Sequence, residues 1–106
     1  MKIKRKSIKG QWVDYEGGVR LQIRPFPASE GIFTPTNAEE LSQATWARYN
    51  YCLQGWEGLK EEDDSDFEFN EENKKFVFDF VQDLVLFVVT QSRMMEGNIT
   101  EELGES

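Results

Sequence analysis

The fold of this chain depends most on residues 70–95, which read NEENKKFVFDFVQDLVLFVVTQSRMM. Asn70 is a favoured N-cap residue, and the two glutamates after it would lie in the first helical turn, where the positive end of the helix dipole stabilises carboxylates. At about 100° per residue, many of the polar side chains gather within about 40° of Asp79, and Leu86 is the one apolar residue among them. The spacing predicts a single helix over residues 71–95.

Apolar side chains cover the rest of this helix, an arc of about 220°. An ordinary surface helix needs an apolar stripe of only about 100° or somewhat more. We therefore expect the helix to lie between two layers, or to share part of its apolar surface with another chain. The β-branched run over residues 85–89 also fits a strand, but the polar stripe favours a helix. The arc consists of Phe76, Val77, Phe78, Phe80, Val81, Leu84, Val85, Phe87, Val88 and Val89.

Residues 11–26 predict a β-hairpin. Apolar and polar side chains alternate over residues 19–24, which is the pattern of a half-buried strand. The pair Gly17-Gly18 marks the turn before that strand. Pro25-Phe26-Pro27 ends the hairpin, because proline cannot donate to a central ladder.

Two registers are possible for this hairpin. A two-residue loop would place Asp14 opposite Leu21. A three-residue loop of residues 16–18 places Val13 opposite Leu21 and Asp14 opposite Arg20, and directly opposed side chains share a face of the sheet. We predict the second register, with the last glycine of the loop in the left-handed conformation of a bulged turn.

A second helix is predicted between the hairpin and the acidic part of the chain. Thr36-Asn37-Ala38-Glu39 fits a capping box, in which a hydroxyl and a carboxylate satisfy free N–H groups at a helix start. The helix should run from about Asn37 to about Leu53, and Gly55-Trp56-Glu57-Gly58 should end it. The prediction is a helix-dominated α+β fold, with an N-terminal β-hairpin packed on two main α-helices.

Length and charge indicate one acidic domain. The 106 residues are typical of a single domain, and 12 Lys and Arg against 20 Asp and Glu give a net charge of −8. We expect residues 10–97 to form a single α+β domain. A basic, flexible N-terminus over residues 1–9 precedes it, and an acidic, disordered tail over residues 98–106 follows.

Composition excludes several kinds of chemistry. The chain has no histidine, so it has no imidazole base and no histidine metal ligand. Cys52 is its one cysteine, so there is no internal disulfide and no multi-cysteine zinc site. We expect a non-enzymatic binding or assembly protein without catalytic, cofactor or metal residues, in which Cys52 acts as a small buried hydrophobe.

The sequence indicates neither secretion nor a membrane span. The basic start of the chain is not followed by the apolar stretch of about 7–15 residues that a secretory signal carries. The longest apolar stretch, residues 76–89, is too short and too polar to cross a bilayer. A lone cysteine suits a reducing compartment. We expect a cytoplasmic protein that binds no membrane.

Two charged segments, one acidic and one basic, are candidate binding sites. Eight of the twelve residues 61–72 are acidic, which fits a cation site or a mimic of a nucleic-acid backbone, but the spacing of Asp63, Asp64 and Asp66 does not match an EF-hand. We interpret this stretch as a solvated loop and helix start. The basic residues 1–9 could contact phosphates or the acidic run of a neighbouring subunit. Because the chain as a whole is acidic, we expect no nucleic-acid partner.

The wide apolar arc is the most informative feature for function. In the structural interpretation it is a central core helix. In the functional interpretation part of the arc, with two flexible methionines beside it, docks an apolar segment of a partner. The candidate partner-binding residues are Trp12, Trp56, Phe78, Val85, Val89, Met94 and Met95.

The order of these features resembles small proteins from the tail modules of bacteriophages and prophages, of the tail assembly chaperone kind. The resemblance is carried by QWVDYEGGVRLQIRP at residues 11–25, by GWEGL at residues 55–59, and by an acidic spacer before NEENKK at residues 70–75 and the long apolar helix. It covers about residues 10–90, and no binding residue is inherited from it.

The resemblance implies a non-enzymatic role. Such chaperones bind the helix-rich tape measure protein in the host cytoplasm, keep it soluble while tail tube subunits assemble around it, and are not part of the finished virion. The wide apolar arc could supply the contact area, and a charge of −8 would oppose self-association. The alternatives are an acidic inhibitor or mimic of the antirestriction or immunity type, and a structural tail or connector subunit that self-associates.

Overall fold

The computed structural model describes residues 1–30 and 34–101. In chain order, the strands and helices are β1 (Lys2–Ile3), β2 (Gln11–Asp14), β3 (Arg20–Ile23), α1 (Ala38–Cys52), β4 (Leu53–Glu57), α2 (Glu71–Phe80), α3 (Gln82–Gly97) and β5 (Thr100–Glu101). The larger sheet has the antiparallel order β2-β3-β4, and the three helices accompany it. The predicted helix-dominated α+β fold is confirmed.

The hairpin of β2 and β3 has the register that the sequence predicts. Val13 pairs with Leu21, and Asp14 pairs with Arg20. The opposed charges form an ion pair, with 3.2 Å between Arg20 Nε and Asp14 Oδ1. Gly18 has a φ of 80°, in the left-handed region predicted for the end of the loop. The apolar face of β3 is thereby turned into the core, where Leu21 is fully buried.

Strand β4 departs from the expectation that residues 55–58 only end α1. Leu53 is extended (φ −83°, ψ 112°), so the chain passes from α1 into β4 without a loop. Trp56 of β4 pairs with Leu21 of β3. An isolated two-stranded sheet is only marginally stable. The third strand makes β3 the central strand, and both Leu21 and Trp56 are buried.

Helix α1 begins one residue later than the predicted capping box. Asn37 is the N-cap, and its Oδ1 accepts a hydrogen bond of 2.9 Å from the Glu40 N–H. The Glu40 carboxylate accepts bonds of 3.0 Å from both the N–H and the hydroxyl of Thr36. Glu40 therefore has the role that the sequence assigned to Glu39, which is exposed in the first turn.

The end of α1 is satisfied by side chains from elsewhere in the fold. The last carbonyls of a helix have no partner within it. The Lys74 ammonium donates to the Asn50 carbonyl at 2.9 Å. Arg24 donates from Nε to the Tyr51 carbonyl and from its backbone N–H to the Cys52 carbonyl, each at 3.0 Å. These bonds connect α1 to α2 and to the segment after β3.

The predicted single helix over residues 71–95 is wrong, because α2 and α3 are separate helices that meet at Val81. This residue has a φ of −123° and a ψ of 68°, outside the helical region. The Val81 N–H still donates to the Val77 carbonyl at 2.8 Å, which closes the last turn of α2. Positions computed around one common axis therefore do not hold across the junction. In α2 it is Val77 that is buried, whereas Phe76 and Phe80 are exposed.

The core lies between the sheet and the three helices. It takes Leu21 and Ile23 from β3, and α3 supplies the largest helical share. Trp56 is buried on the same side of the sheet as Leu21. The buried apolar residues are Leu21, Ile23, Phe26, Tyr49, Cys52, Leu53, Trp56, Val77, Leu84, Val85, Val88, Val89 and Met95.

The two ends of the chain pair where we expect a flexible N-terminus and a disordered tail. β1 and β5 form a small antiparallel sheet, in which Ile3 pairs with Thr100. The Lys4 N–H donates to the Ile99 carbonyl at 2.6 Å. Residues 102–106 of the predicted tail lie outside the described residues.

Candidate functional site

The seven predicted partner-binding residues do not share one surface. Four of them are buried in the core: Trp56, Val85, Val89 and Met95. These four side chains pack mainly against the chain's own residues. The other three are the half-buried Phe78 and the exposed Trp12 and Met94.

Trp56 is buried because β4 adds to the sheet. Its Nε1 donates to the Phe67 carbonyl at 2.6 Å, and its ring stacks on the Phe67 ring at 5.6 Å. The Phe69 ring meets Trp56 edge-on at 4.7 Å. Trp56 therefore anchors the segment after β4 to the sheet, which is a structural role.

A row of three aromatic rings continues from Trp56 to the surface. We call Phe67, Phe76 and Phe80 the aromatic strip. The ring centroids are 6.2 Å apart between Phe67 and Phe76 and 5.0 Å apart between Phe76 and Phe80. Exposure increases along the strip, from the half-buried Phe67 to 52% for Phe76 and 73% for Phe80.

The exposure of Phe76 and Phe80 follows from the face of α2 on which they lie. Phe76 and Phe80 are four residues apart, so they lie on one face of α2. The core side of that helix is held by Val77 and by Lys74, which is 6% exposed. The predicted assignment of both phenylalanines to the core arc is corrected accordingly.

Carboxylates border the strip at the Phe67 end. We call residues 61–66 the acidic loop. It is closed by a hydrogen bond of 2.8 Å from the Glu61 N–H to the Ser65 carbonyl, and by an isolated β-bridge between Lys60 and Asp66. The Asp63 carboxylate accepts bonds from the Ser65 hydroxyl and N–H at 2.6 and 3.0 Å.

The acidic loop is negatively charged at neutral pH. Hydrogen bonds from the Ser65 hydroxyl and N–H lower the pKa of Asp63 below its usual value. A hydrogen bond from the Lys60 ammonium, together with its positive charge, lowers the pKa of Asp66. An open concavity of about 750 Å³ separates this loop from the strip, and it is lined by Lys60, Glu61, Glu62, Asp63, Phe67, Asn73 and Phe76.

Carboxylates also border the strip at the Phe80 end. A second concavity of about 460 Å³ lies at the junction of α2 and α3, where Asp79 and Asp83 flank Phe80. The Lys75 ammonium lies 2.7 Å from Asp79 Oδ1, which neutralises one of these two charges. Both ends of the strip therefore carry negative charge.

A different apolar surface lies between α1 and the last two helices. We call it the α1–α3 groove, and its apolar lining includes Leu41, Phe78, Val85 and Leu86. Leu41 and Leu86 are 57% and 59% exposed. Leu86, the apolar residue of the predicted polar stripe, is on the surface as that stripe requires.

Within residues 1–30 and 34–101, no group of three or more metal-ligating side chains is placed to hold a metal ion. The same part of the chain contains no helix long and apolar enough to span a membrane. Cys52 is fully buried, and burial raises its pKa to about 11, so its thiol is protonated at neutral pH.

Comparison with known proteins gives no relative from which a functional site could be inferred. No family model matches the chain. No curated protein and no solved structure matches it either. The candidate site is therefore the aromatic strip with its acidic borders, accompanied by the α1–α3 groove.

Proposed function

We propose that this protein is a non-enzymatic assembly chaperone of phage tails. In this proposal it binds an apolar helical segment of the tape measure protein in the host bacterial cytoplasm and keeps that protein soluble until tail tube subunits surround it. One observation carries the proposal: large apolar side chains are exposed on α2 and α3 of a strongly acidic chain. The most exposed of them are Phe80 and Leu86.

Exposed apolar side chains and a high net charge suit a chaperone for a physical reason. Contiguous apolar patches on a protein surface mark interaction sites or lead to aggregation. A net charge of −8 makes copies of the chain repel one another, which opposes aggregation through these patches. An apolar client can still bind, because the charge does not repel it.

The resemblance supports the same function. The residues that carry it are the hairpin over 11–25, the segment 55–59, and the helix start over 70–75. The segments 55–59 and 70–75 frame the acidic loop, and residues 70–75 continue into α2, which carries Phe76 and Phe80. The client would bind beside the segments on which the resemblance depends.

The proposal predicts a tape measure gene beside the gene of this chain, and it is tested by co-expression of the two proteins. We expect the soluble fraction of the tape measure protein to rise several-fold when the chain is present. A double variant, Phe80→Ser with Leu86→Ser, should lose that effect, because it removes the two most exposed apolar side chains of α2 and α3. Gln43→Ser, a change at an exposed polar position of α1, should retain it. Unchanged solubility with the wild-type chain would contradict the chaperone role.

One observation favours a second candidate function, an acidic inhibitor that mimics a nucleic-acid backbone. The acidic loop is closed by backbone hydrogen bonds, and the carboxylates of Asp63 and Asp66 are held by Ser65 and Lys60. An inhibitor of this kind would block a nucleic-acid-cutting enzyme in vitro. Replacing Glu61 and Glu62 by glutamine would weaken that inhibition, whereas Phe80→Ser would leave it unchanged. A chaperone, in contrast, should lose its effect when Phe80 is replaced by serine.

A further inference from the structure

We infer that the aromatic strip and its acidic borders dock an amphipathic helix whose apolar stripe is flanked by lysine or arginine. The inference rests on the proposed function, because it names the surface that takes the client helix and the chemistry of that helix. The exposure, the spacing and the charges of the residues around Phe76 and Phe80 support it.

Exposure makes the strip an anchor for apolar side chains. Aromatic rings bury a large apolar area on binding and are enriched among residues that dominate binding energy. Phe76 contacts both Phe67 and Phe80. Phe67 is stacked in turn on the buried Trp56. The exposed rings are thus connected to the core.

The spacing of the rings fits a helix. The centroid distances along the strip are 6.2 and 5.0 Å, close to the α-helical pitch of about 5.4 Å. Apolar side chains one turn apart on a partner helix can therefore lie against successive rings. This is the helix-in-groove mode of recognition, which uses apolar residues at intervals of three, four and seven.

The charges around the strip select a basic partner. Among residues 1–30 and 34–101, the nearby cations are already engaged: Lys60 pairs with Asp66, and Lys75 pairs with Asp79. In the same ranges, Glu61, Glu62, Asp63 and Asp83 have no ion-pair partner within 4.0 Å, and they line the two concavities that border the strip. A partner with cations on both sides of its apolar stripe would complement them.

Two other arrangements fit the charges less well. A second copy that placed its own strip on this one would bring acidic borders against acidic borders, which is repulsive. The α1–α3 groove exposes Leu41 and Leu86, but Asp79 is its one charged lining residue. That groove can accept apolar side chains without selecting a charge, so we assign the basic helix to the aromatic strip.

Two synthetic peptides test this assignment. Each forms a helix of about 18 residues with leucines at intervals of three and four, and the remaining positions are lysine in one peptide and glutamate in the other. Binding of a fluorescent label on each peptide is measured by anisotropy. We expect the lysine peptide to bind about tenfold more tightly or better, and its affinity to fall as salt is raised.

Matched variants locate the binding site. The double variant Phe76→Ser with Phe80→Ser should weaken binding of the lysine peptide by about tenfold or more. Ile8→Ser is the control, because Ile8 is 58% exposed and lies outside the strip and its borders. It should bind the peptide as the wild-type chain does. A similar loss in both variants, or in neither, would overturn the assignment to the strip.

Two double variants that each remove two negative charges test the acidic border independently of the rings. Glu61→Gln with Glu62→Gln should weaken binding and reduce its salt dependence. Glu16→Gln with Glu39→Gln removes the same charge from two exposed positions outside the strip and its borders, and it should have a smaller effect. Equal effects of the two charge pairs would show that only net charge matters, and the selective role of the border would be refuted. This comparison also decides the question if the phenylalanine variant fails to fold.

The inference and the proposed function can fail separately. If the tape measure protein is solubilised but the Phe76 and Phe80 variant still binds the lysine peptide normally, the chaperone role stands and the strip is not its docking surface. If the lysine peptide binds at the strip while the tape measure protein stays insoluble, the strip is a docking surface for a basic helix, and the chaperone role is contradicted.

Discussion

Gly58 lies directly against the backbone carbonyl of Gly18, because a Cβ placed on Gly58 would stand 2.6 Å from that oxygen. The contact joins the segment after β4 to the turn of the β2–β3 hairpin. Both glycines have positive φ, 90° for Gly58 and 80° for Gly18. They differ in surroundings, since nothing lies within 4 Å of a Cβ built on Gly18.

This difference predicts unequal costs for two alanine substitutions. Gly18→Ala should lower the free energy of unfolding by about 1–2 kcal/mol, the cost of a side chain in the left-handed region. Gly58→Ala adds a clash with backbone that cannot rotate away, so its total cost should be about 2–5 kcal/mol. Urea unfolding of both variants measures the difference. Equal losses would mean that the contact between the two glycines contributes nothing to stability.

The break at Val81 predicts that two neighbouring apolar residues respond differently to truncation. Phe80 is 73% exposed, so Phe80→Ala should change the free energy of unfolding by no more than about 0.5 kcal/mol. Leu84 is 1% exposed, and Leu84→Ala should cost about 2–5 kcal/mol. Thermal and urea unfolding give both values. A loss of several kcal/mol at Phe80 would indicate one continuous helix with a different buried face.

Local pairing explains why the hairpin could be predicted from the sequence. The alternation over residues 19–24 and the glycine pair at the turn act over a few residues. Only one register places Val13 against Leu21 and Asp14 against Arg20 at the same time. The N-cap at Asn70 was predictable for the same reason, since its side chain accepts from the Asn73 N–H three residues later.

Contacts between distant residues explain what could not be predicted. Leu53 begins a strand because β3, about thirty residues earlier, offers an unpaired edge to residues 53–57. The prediction of one helix over residues 71–95 requires a single helix axis. No local sequence pattern indicates the non-helical backbone of Val81.

The candidate site could not be predicted from the sequence because it also depends on contacts between distant residues. Once the axis is interrupted, Phe76 and Phe80 are on the surface and Val85 is in the core. The one available signal was Phe67, an aromatic residue within the acidic stretch. Its position beside Phe76 depends on the turn that returns from Leu59 to Phe67, whose N–H donates to the Leu59 carbonyl at 2.9 Å.

Two adjacent lysines provide a further test of the fold. Lys74 is 6% exposed and donates to the Asn50 carbonyl at the end of α1. Lys74→Met leaves that carbonyl without this bond in a buried place, so the free energy of unfolding should fall by about 1–3 kcal/mol. Lys75 forms an exposed ion pair with Asp79, and Lys75→Met should cost about 0.3–0.5 kcal/mol.

Chemical denaturation of the two lysine variants compares these costs directly. A Lys74→Met protein as stable as the wild-type chain would show that the burial of the ammonium, which lowers the pKa of Lys74, costs as much as its hydrogen bond contributes.

The buried thiol predicts both slow labelling and a loss of stability in alkali. Burial raises the pKa of Cys52 to about 11, against about 8.5 for a free thiol. At pH 8 the folded chain should therefore react with iodoacetamide about 100-fold more slowly than the chain unfolded in urea, because only the thiolate reacts. Mass spectrometry of the labelled chain measures both rates, and Cys52 is the one cysteine to be labelled.

The same shift fixes the sign of a pH effect on folding. The folded state holds the Cys52 proton more tightly than the unfolded state, so this contribution to stability is complete below about pH 8.5 and is lost between there and about pH 11. Cys52→Ala removes the thiol, and its stability should fall less steeply over that range. Because Tyr49 is buried and its pKa is also raised, some loss should remain in the variant. Identical slopes for the two proteins would show that Cys52 does not resist ionisation in the folded state.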